Sequence, residues 1–99
     1  MENEFKEKCL KAFQYSFYLD KIIENLNTNH LNNLRHYFDL ATDELQKEIN
    51  QPIGKGEESI HNVRVQQLKD MFLCFNELYK IIEIEDGKTI GLLQSSSNQ

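Results

Sequence analysis

Ninety-nine residues are one domain's worth of chain, short enough to bury only about 60–70 % of the surface its unfolded form exposes. A net charge of −5 with eleven scattered Lys and Arg argues against a general nucleic-acid binder, whose phosphate contacts need clustered bases. One Pro and four Gly argue against a turn-rich β architecture and favour long, uninterrupted elements.

The opening stretch "MENEFKEKCLKAF" threads acids and bases through its apolar residues, unlike a signal or transit peptide. No apolar run approaches the ~20 residues that cross a bilayer. A cytoplasmic location with no membrane partner is therefore expected. Cys9 and Cys74 are too few for a disulfide framework and sit inside apolar helical patterns, which suits reduced, packed thiols in a cytosol.

Taken in chain order, residues 4–26 place Phe5, Cys9, Ala12, Phe13, Leu19, Ile23 and Leu26 at a helical period, with Ser16 filling the one wide gap. This predicts a single first helix. It breaks at "NLNTNH", where Asn and Thr favour turns, and Thr28 or Asn29 is expected to cap the next helix. Residues 30–50 carry the cleanest stripe, Leu31, Leu34, Phe38, Ala41, Leu45 and Ile49, opposite His36, Asp39, Asp43, Gln46 and Lys47. "NQPIGKG" ends that helix, because Pro52 disfavours helical backbone at Gln51 and two glycines follow. A short loop of this kind favours an antiparallel neighbour.

A third helix is predicted from "GEESIHNV" onward, with Glu57 and Glu58 where a helix N-terminus prefers negative charge. It runs through Ile60, Val63, Leu68, Met71, Phe72, Phe75, Leu78, Tyr79 and Ile82, with Gly87 placed to close it. "IIEIEDGKTIGLL" also alternates around Asp-Gly, so a small hairpin over 82–92 is the competing arrangement. It would have to interrupt a strong helical pattern at Tyr79 or Lys80. The fold class expected is thus all-α: three long helices in an antiparallel up-down-up bundle. Residues 1–93 form one helical domain, and 94–99 are a disordered polar tail.

In a three-helix bundle each helix hides only the stripe facing two neighbours. Helices one and three carry more apolar width than that, so Phe17, Tyr18, Phe72 and Tyr79 are expected to dock on another protein or a second copy of the chain. The plainer account is an aromatic-rich bundle whose tyrosines offer hydroxyls to water. Arg64 lies in line with Ile60, Leu68 and Met71, and Asp20 interrupts the wide face of helix one. A charge so placed needs a partner or a route to water, which makes both candidates for the same interface.

Little else points to chemistry. His36, Asp39 and Asp43 have a spacing that could gather on a metal ion, but they lie on a solvent-facing stripe, and no metal or other cofactor is expected. Glu-x-x-His occurs once, at Glu58–His61, without the second copy that a carboxylate-bridged di-metal bundle needs, and Cys-x-x-Cys and His-Glu-x-x-His are absent from the chain. "IGKGEES" lacks the spacing of a phosphate-binding loop. His30 or His61 on a helical bundle could serve phosphotransfer, since imidazole accepts a phosphoryl group. The expected function is therefore non-enzymatic: a small regulator, inhibitor or complex subunit, with a homodimer the expected assembly. A histidine phosphotransfer module and a self-associating structural subunit are the alternatives.

Overall fold

The computed structural model describes residues 3–97 of the chain, with side chains from residue 3 to residue 85. Four helices follow one another: α1 (Asn3–Ala12), α2 (Leu19–Thr28), α3 (Leu31–Ile49) and α4 (Glu58–Ser97). No strand forms among the described residues, so the all-α class holds while the helix count rises from three to four.

The extra helix comes from a break at Phe13–Tyr18, inside the stretch expected to be one helix. Ser16 accounts for it locally. Its backbone N–H donates to the Phe13 carbonyl at 2.9 Å, its carbonyl accepts from Leu19, and its Oγ accepts from the Tyr18 N–H at 3.1 Å. A serine that bonds nearby backbone in this way offers the chain an alternative to helix. The break also resets the helical phase. Ile22, outside the predicted stripe, is fully buried, whereas Ile23, inside it, is half-buried. Asp20 no longer interrupts a long apolar face but sits in the first turn of α2, where negative charge complements the helix dipole.

The topology follows from a few pairings. Lys8 meets Glu77 and Ala12 meets Gln67, so α1 runs antiparallel to α4. Glu48 meets Arg64, Phe38 meets Phe75 and Arg35 meets Tyr79, so α3 and α4 are antiparallel too. Only Asn29 and His30 separate α2 from α3, which turns the chain back on itself. Each helix packs on its chain neighbour and α1 closes the ring against α4. The result is an up-down-up-down bundle in place of the up-down-up trio.

Capping at the α2–α3 corner differs from the expectation. Thr28 Oγ1 donates back to the Glu24 carbonyl at 3.0 Å. Asn29 closes α2 in the left-handed region at φ 60, its N–H donating to the Asn25 carbonyl. His30 precedes α3 without a side-chain cap. Asn tolerates that backbone better than most residues, so Asn29 makes the turn by stopping one helix, not by capping the next. Before α4, the Glu57 carboxylate accepts from the Gly54 N–H at 3.3 Å, while Gly56 supplies a positive φ of 88.

The core is aromatic. Phe13 stacks on Phe38 at 4.4 Å, Phe38 meets Phe75 edge-on at 5.7 Å, and Phe75 stacks on Tyr79 at 5.2 Å. Leu34, Met71, Leu78, Ile22 and Cys9 fill the space around that row. Two polar side chains share the interior and both are satisfied. Asn25 donates to the Lys21 carbonyl at 2.7 Å, and Thr42 donates to the Phe38 carbonyl at 2.9 Å. Cys9 and Cys74 are both free and buried.

α4 continues as helix through Gly87. The glycine therefore does not close it, and no hairpin forms over 82–92. Ile81 and Ile82, half-buried against the bundle, keep their places only if the helical register runs on past Tyr79. The tail expected at 94–99 lies outside the residues described with their side chains, and its last two residues lie outside the described backbone.

Candidate protein-binding surface

α2 has 10 residues and α3 has 19. At 1.5 Å per residue, α3 outruns α2 by roughly 14 Å. α1, also 10 residues long, is no taller. The α1–α2 hairpin thus covers only the part of the α3–α4 pair nearest the α2–α3 corner. Beyond its turn, the inward faces of α3 and α4 continue with no other helix over them among the described residues.

The uncovered stretch is a groove of about 470 Å³. Ala41, Leu45 and Met71, the end of the core, form its floor, and Ile60, Val63 and Tyr15 rise along its walls. Helical spacing explains why the floor is apolar. Ile60 lies seven residues before Gln67 and fourteen before Cys74, and Arg64 lies seven before Met71 and fourteen before Leu78. These residues occupy core-facing positions of α4 at a level where no other helix covers the core. Val63 is 64 % exposed, Tyr15 79 % and neighbouring Phe17 83 %. So much bare aromatic surface on one turn is unusual for a small protein.

Arg64 spans this groove. Its Nε lies 3.9 Å from Glu48 Oε2 on α3, with both side chains about half exposed. The guanidinium thus finds an opposite charge within the chain itself. Glu44 adds a second carboxylate to the same wall, so the groove lining carries one more negative charge than positive.

The six residues singled out from sequence fall in different places. Phe17 projects from the α1–α2 turn and Arg64 crosses the groove beside that turn. Tyr18 is half-buried, edge-on to Phe17 at 5.4 Å and tilted against Tyr37 at 6.2 Å, which makes it part of the α2–α3 seam. Tyr79 lies along the α3–α4 seam, stacked on Phe75 with the Arg35 guanidinium 5.0 Å above its ring, a cation–π arrangement. Phe72, 44 % exposed, stands seven residues before it on the same side of α4. Asp20 is exposed on α2. One continuous face does not hold all six.

Sequence reasoning passes over Tyr15, Ala41 and Leu45 as parts of a site. Ala41 and Leu45 belong to the α3 stripe and look like ordinary core. What exposes one end of that stripe is the shortness of α1 and α2, and the only trace of it in the sequence is the six-residue gap between Phe13 and Leu19.

The histidines lie apart from the groove. His30 precedes α3, His61 is in the first turns of α4, and His36 is exposed on α3 with its ring 5.4 Å from Tyr37. Among the described residues no group of three or more His, Cys, Asp or Glu side chains gathers in a metal-holding arrangement. No helix among them is long and apolar enough to cross a membrane. Lys8 donates to Glu77 at 2.9 Å on the surface. That hydrogen bond, and then the charge attraction behind it, hold the Lys8 ammonium above its ordinary value.

No protein-family model, curated protein or solved structure matches this chain.

Proposed function

We propose that this protein is a non-enzymatic protein-binding module, a small cytoplasmic regulator, inhibitor or complex subunit. In this reading it takes an amphipathic helix of a basic partner into the groove beyond the α1–α2 turn. The observation that carries the reading is the uncovered end of the core: Ala41, Leu45 and Met71 as floor under the exposed Tyr15, Ile60 and Val63. A groove between two antiparallel helices, at the level where the other two have ended, is helix-shaped, and laying an apolar helical stripe into such a groove is a recurrent mode of recognition. Phe17, the residue after Ser16 of the lining and 83 % exposed, offers in this reading an aromatic anchor of the kind that dominates binding energy.

Charge selects the partner. Glu44 and Glu48 face the groove, and the chain as a whole carries −5. A helix with Lys or Arg beside its apolar stripe would be steered in and would share Glu48 with Arg64. A second copy of the chain brings the same negative charge and is the less favoured occupant. Tyr18 and Tyr79, engaged in the seams, act as packing residues, and Phe72 lies outside the docking surface.

The test is a fluorescently labelled Leu/Lys amphipathic helix titrated with the protein, alongside light scattering across a concentration series. The expected result is a monomer that binds the probe with Kd of roughly 1–100 µM, with binding lost in Val63→Asp and kept in Phe72→Asp. A concentration-dependent dimer that Val63→Asp dissolves would replace the basic helix by a second copy. A monomer that ignores the probe would overturn the proposal.

A further inference from the structure

We infer that Cys9 and Cys74 form an oxidisable dithiol, in which Cys74 reacts first with hydrogen peroxide and Cys9 then closes an intramolecular disulfide that ties α1 to α4. This site lies on the α1–α4 face and does not depend on the docking groove.

Placement carries the inference. Along α1, Cys9 sits between Lys8, paired with Glu77, and Ala12, whose carbonyl accepts from Gln67 Nε2. Cys74 lies between Gln67 and Glu77 on the facing helix. Both cysteines fall in that interval and both are buried in one core cluster, which sets the thiols face to face across the α1–α4 contact, near enough for each to shift the other's titration. A disulfide between them requires the sulfurs to approach to roughly 2.05 Å, across a helix contact that Lys8–Glu77 and Gln67–Ala12 hold on either side. Both thiols belong to the core cluster, and the proposed docking surface uses neither.

The pair is asymmetric. The neighbouring Cys74 thiol, with burial second, pushes the Cys9 thiol far above its ordinary value. The neighbouring Cys9 thiol, against the opposing effect of burial, holds the Cys74 thiol below its ordinary value. Access is asymmetric as well. Cys9 is fully buried, whereas Cys74 reaches a surface groove of about 410 Å³ between α1 and α4. Lys8, Lys11 and Lys80 line that groove together with Asp70 and Glu77. Lys8 favours the Cys74 thiolate, and the two carboxylates oppose it. Only 3 % of Cys74 is exposed, so the oxidant must be small, and hydrogen peroxide is small enough.

The chemistry balances. The Cys74 thiolate attacks one oxygen of hydrogen peroxide, the O–O bond breaks, and hydroxide leaves to take up the proton the thiol gave away. Cys74 is then a sulfenic acid. The Cys9 sulfur attacks that sulfur, the S–S bond forms and the S–O bond breaks. The hydroxyl departs as water with the Cys9 proton. Two thiols are oxidised and one peroxide is reduced to two waters.

The experiment treats the full reduced chain with hydrogen peroxide and counts thiols after denaturation. Expected are a fall from two free thiols to none, no covalent dimer, and a Tm rise of roughly 10 °C or more, all reversed by dithiothreitol. In Cys9→Ser a dimedone adduct should appear on Cys74, and in Cys74→Ser none should appear on Cys9. Should a serine variant fail to fold, peptide mapping of oxidised wild type identifies the cross-link directly. Two thiols still titratable after peroxide, a disulfide between chains, or Cys9 labelling as readily as Cys74 would overturn the inference.

Discussion

Phe38 and Phe17 mark the two extremes of what a phenylalanine does in this protein. Phe38 is wholly buried between Phe13 and Phe75, so Phe38→Ala removes both ring contacts and leaves a cavity. A loss of about 3–5 kcal/mol in urea unfolding is expected. Phe17 is 83 % exposed, and Phe17→Ser should change stability by no more than about 0.5 kcal/mol while weakening capture of the basic helix. A large stability loss at Phe17 would mean that the ring is packed within the chain. Arg64→Met should also cost little, since a half-exposed ion pair contributes roughly 0–1 kcal/mol. At this scale the sequence is a good guide to burial in α3. Leu34, Phe38, Ala41 and Leu45 all lie inside, because a single clean stripe on one unbroken helix allows only one way of facing the core.

At the scale of elements, the turns decide the architecture. Ser16 holds the α1–α2 break through its Oγ, and Ser16→Ala should cost about 1 kcal/mol, the usual worth of one such bond. Gly56 and Gly54 test the turn before α4 in different ways. A Cβ on Gly56 would meet nothing within 4 Å, but its φ of 88 strains any L side chain, so Gly56→Ala should cost roughly 1–2 kcal/mol from backbone alone. A Cβ on Gly54 would press on the Glu57 carboxylate at 3.2 Å, the group that accepts the Gly54 N–H. Combined with Glu57→Ala, which removes that carboxylate, Gly54→Ala should lose most of its cost, whereas Gly56→Ala should keep its own. Unfolding curves of the three single and two double variants check this. The α1–α2 break is the part of the fold hardest to see in the sequence. One wide gap in a helical period is tolerated by many real helices, and Ser16 is small enough to pass for a spacer. Only the shelter gained by folding the segment over the α3–α4 pair favours breaking it, and that gain lies in tertiary packing. The hairpin at 82–92 fails for the converse reason: local Asp-Gly turn chemistry loses to a helix already anchored by Leu78, Ile81 and Ile82.

At the scale of the whole molecule, the surplus apolar width expected on helices one and three divides in two. The added helix that the break at Ser16 creates lets the bundle shelter part of it, Ile22 and Cys74 among the residues buried. The rest is left at the end of the bundle, where α3 and α4 outrun the α1–α2 hairpin. The candidate site is accordingly only half legible: Arg64 and Phe17 stand out by charge and size, whereas the groove they flank depends on the relative lengths of neighbouring helices. Because Glu44 and Glu48 line it, raising the salt concentration should weaken the basic helix without abolishing binding, the apolar contribution remaining when charges are screened. The most direct test follows backbone amide chemical shifts as the Leu/Lys helix is added. The largest changes should fall on Tyr15, Ala41, Leu45, Ile60, Val63 and Gln67, with Phe72 and Tyr79 nearly still. Shifts concentrated along Phe72 and Tyr79, or spread evenly over all four helices, would contradict a docking groove at the open end.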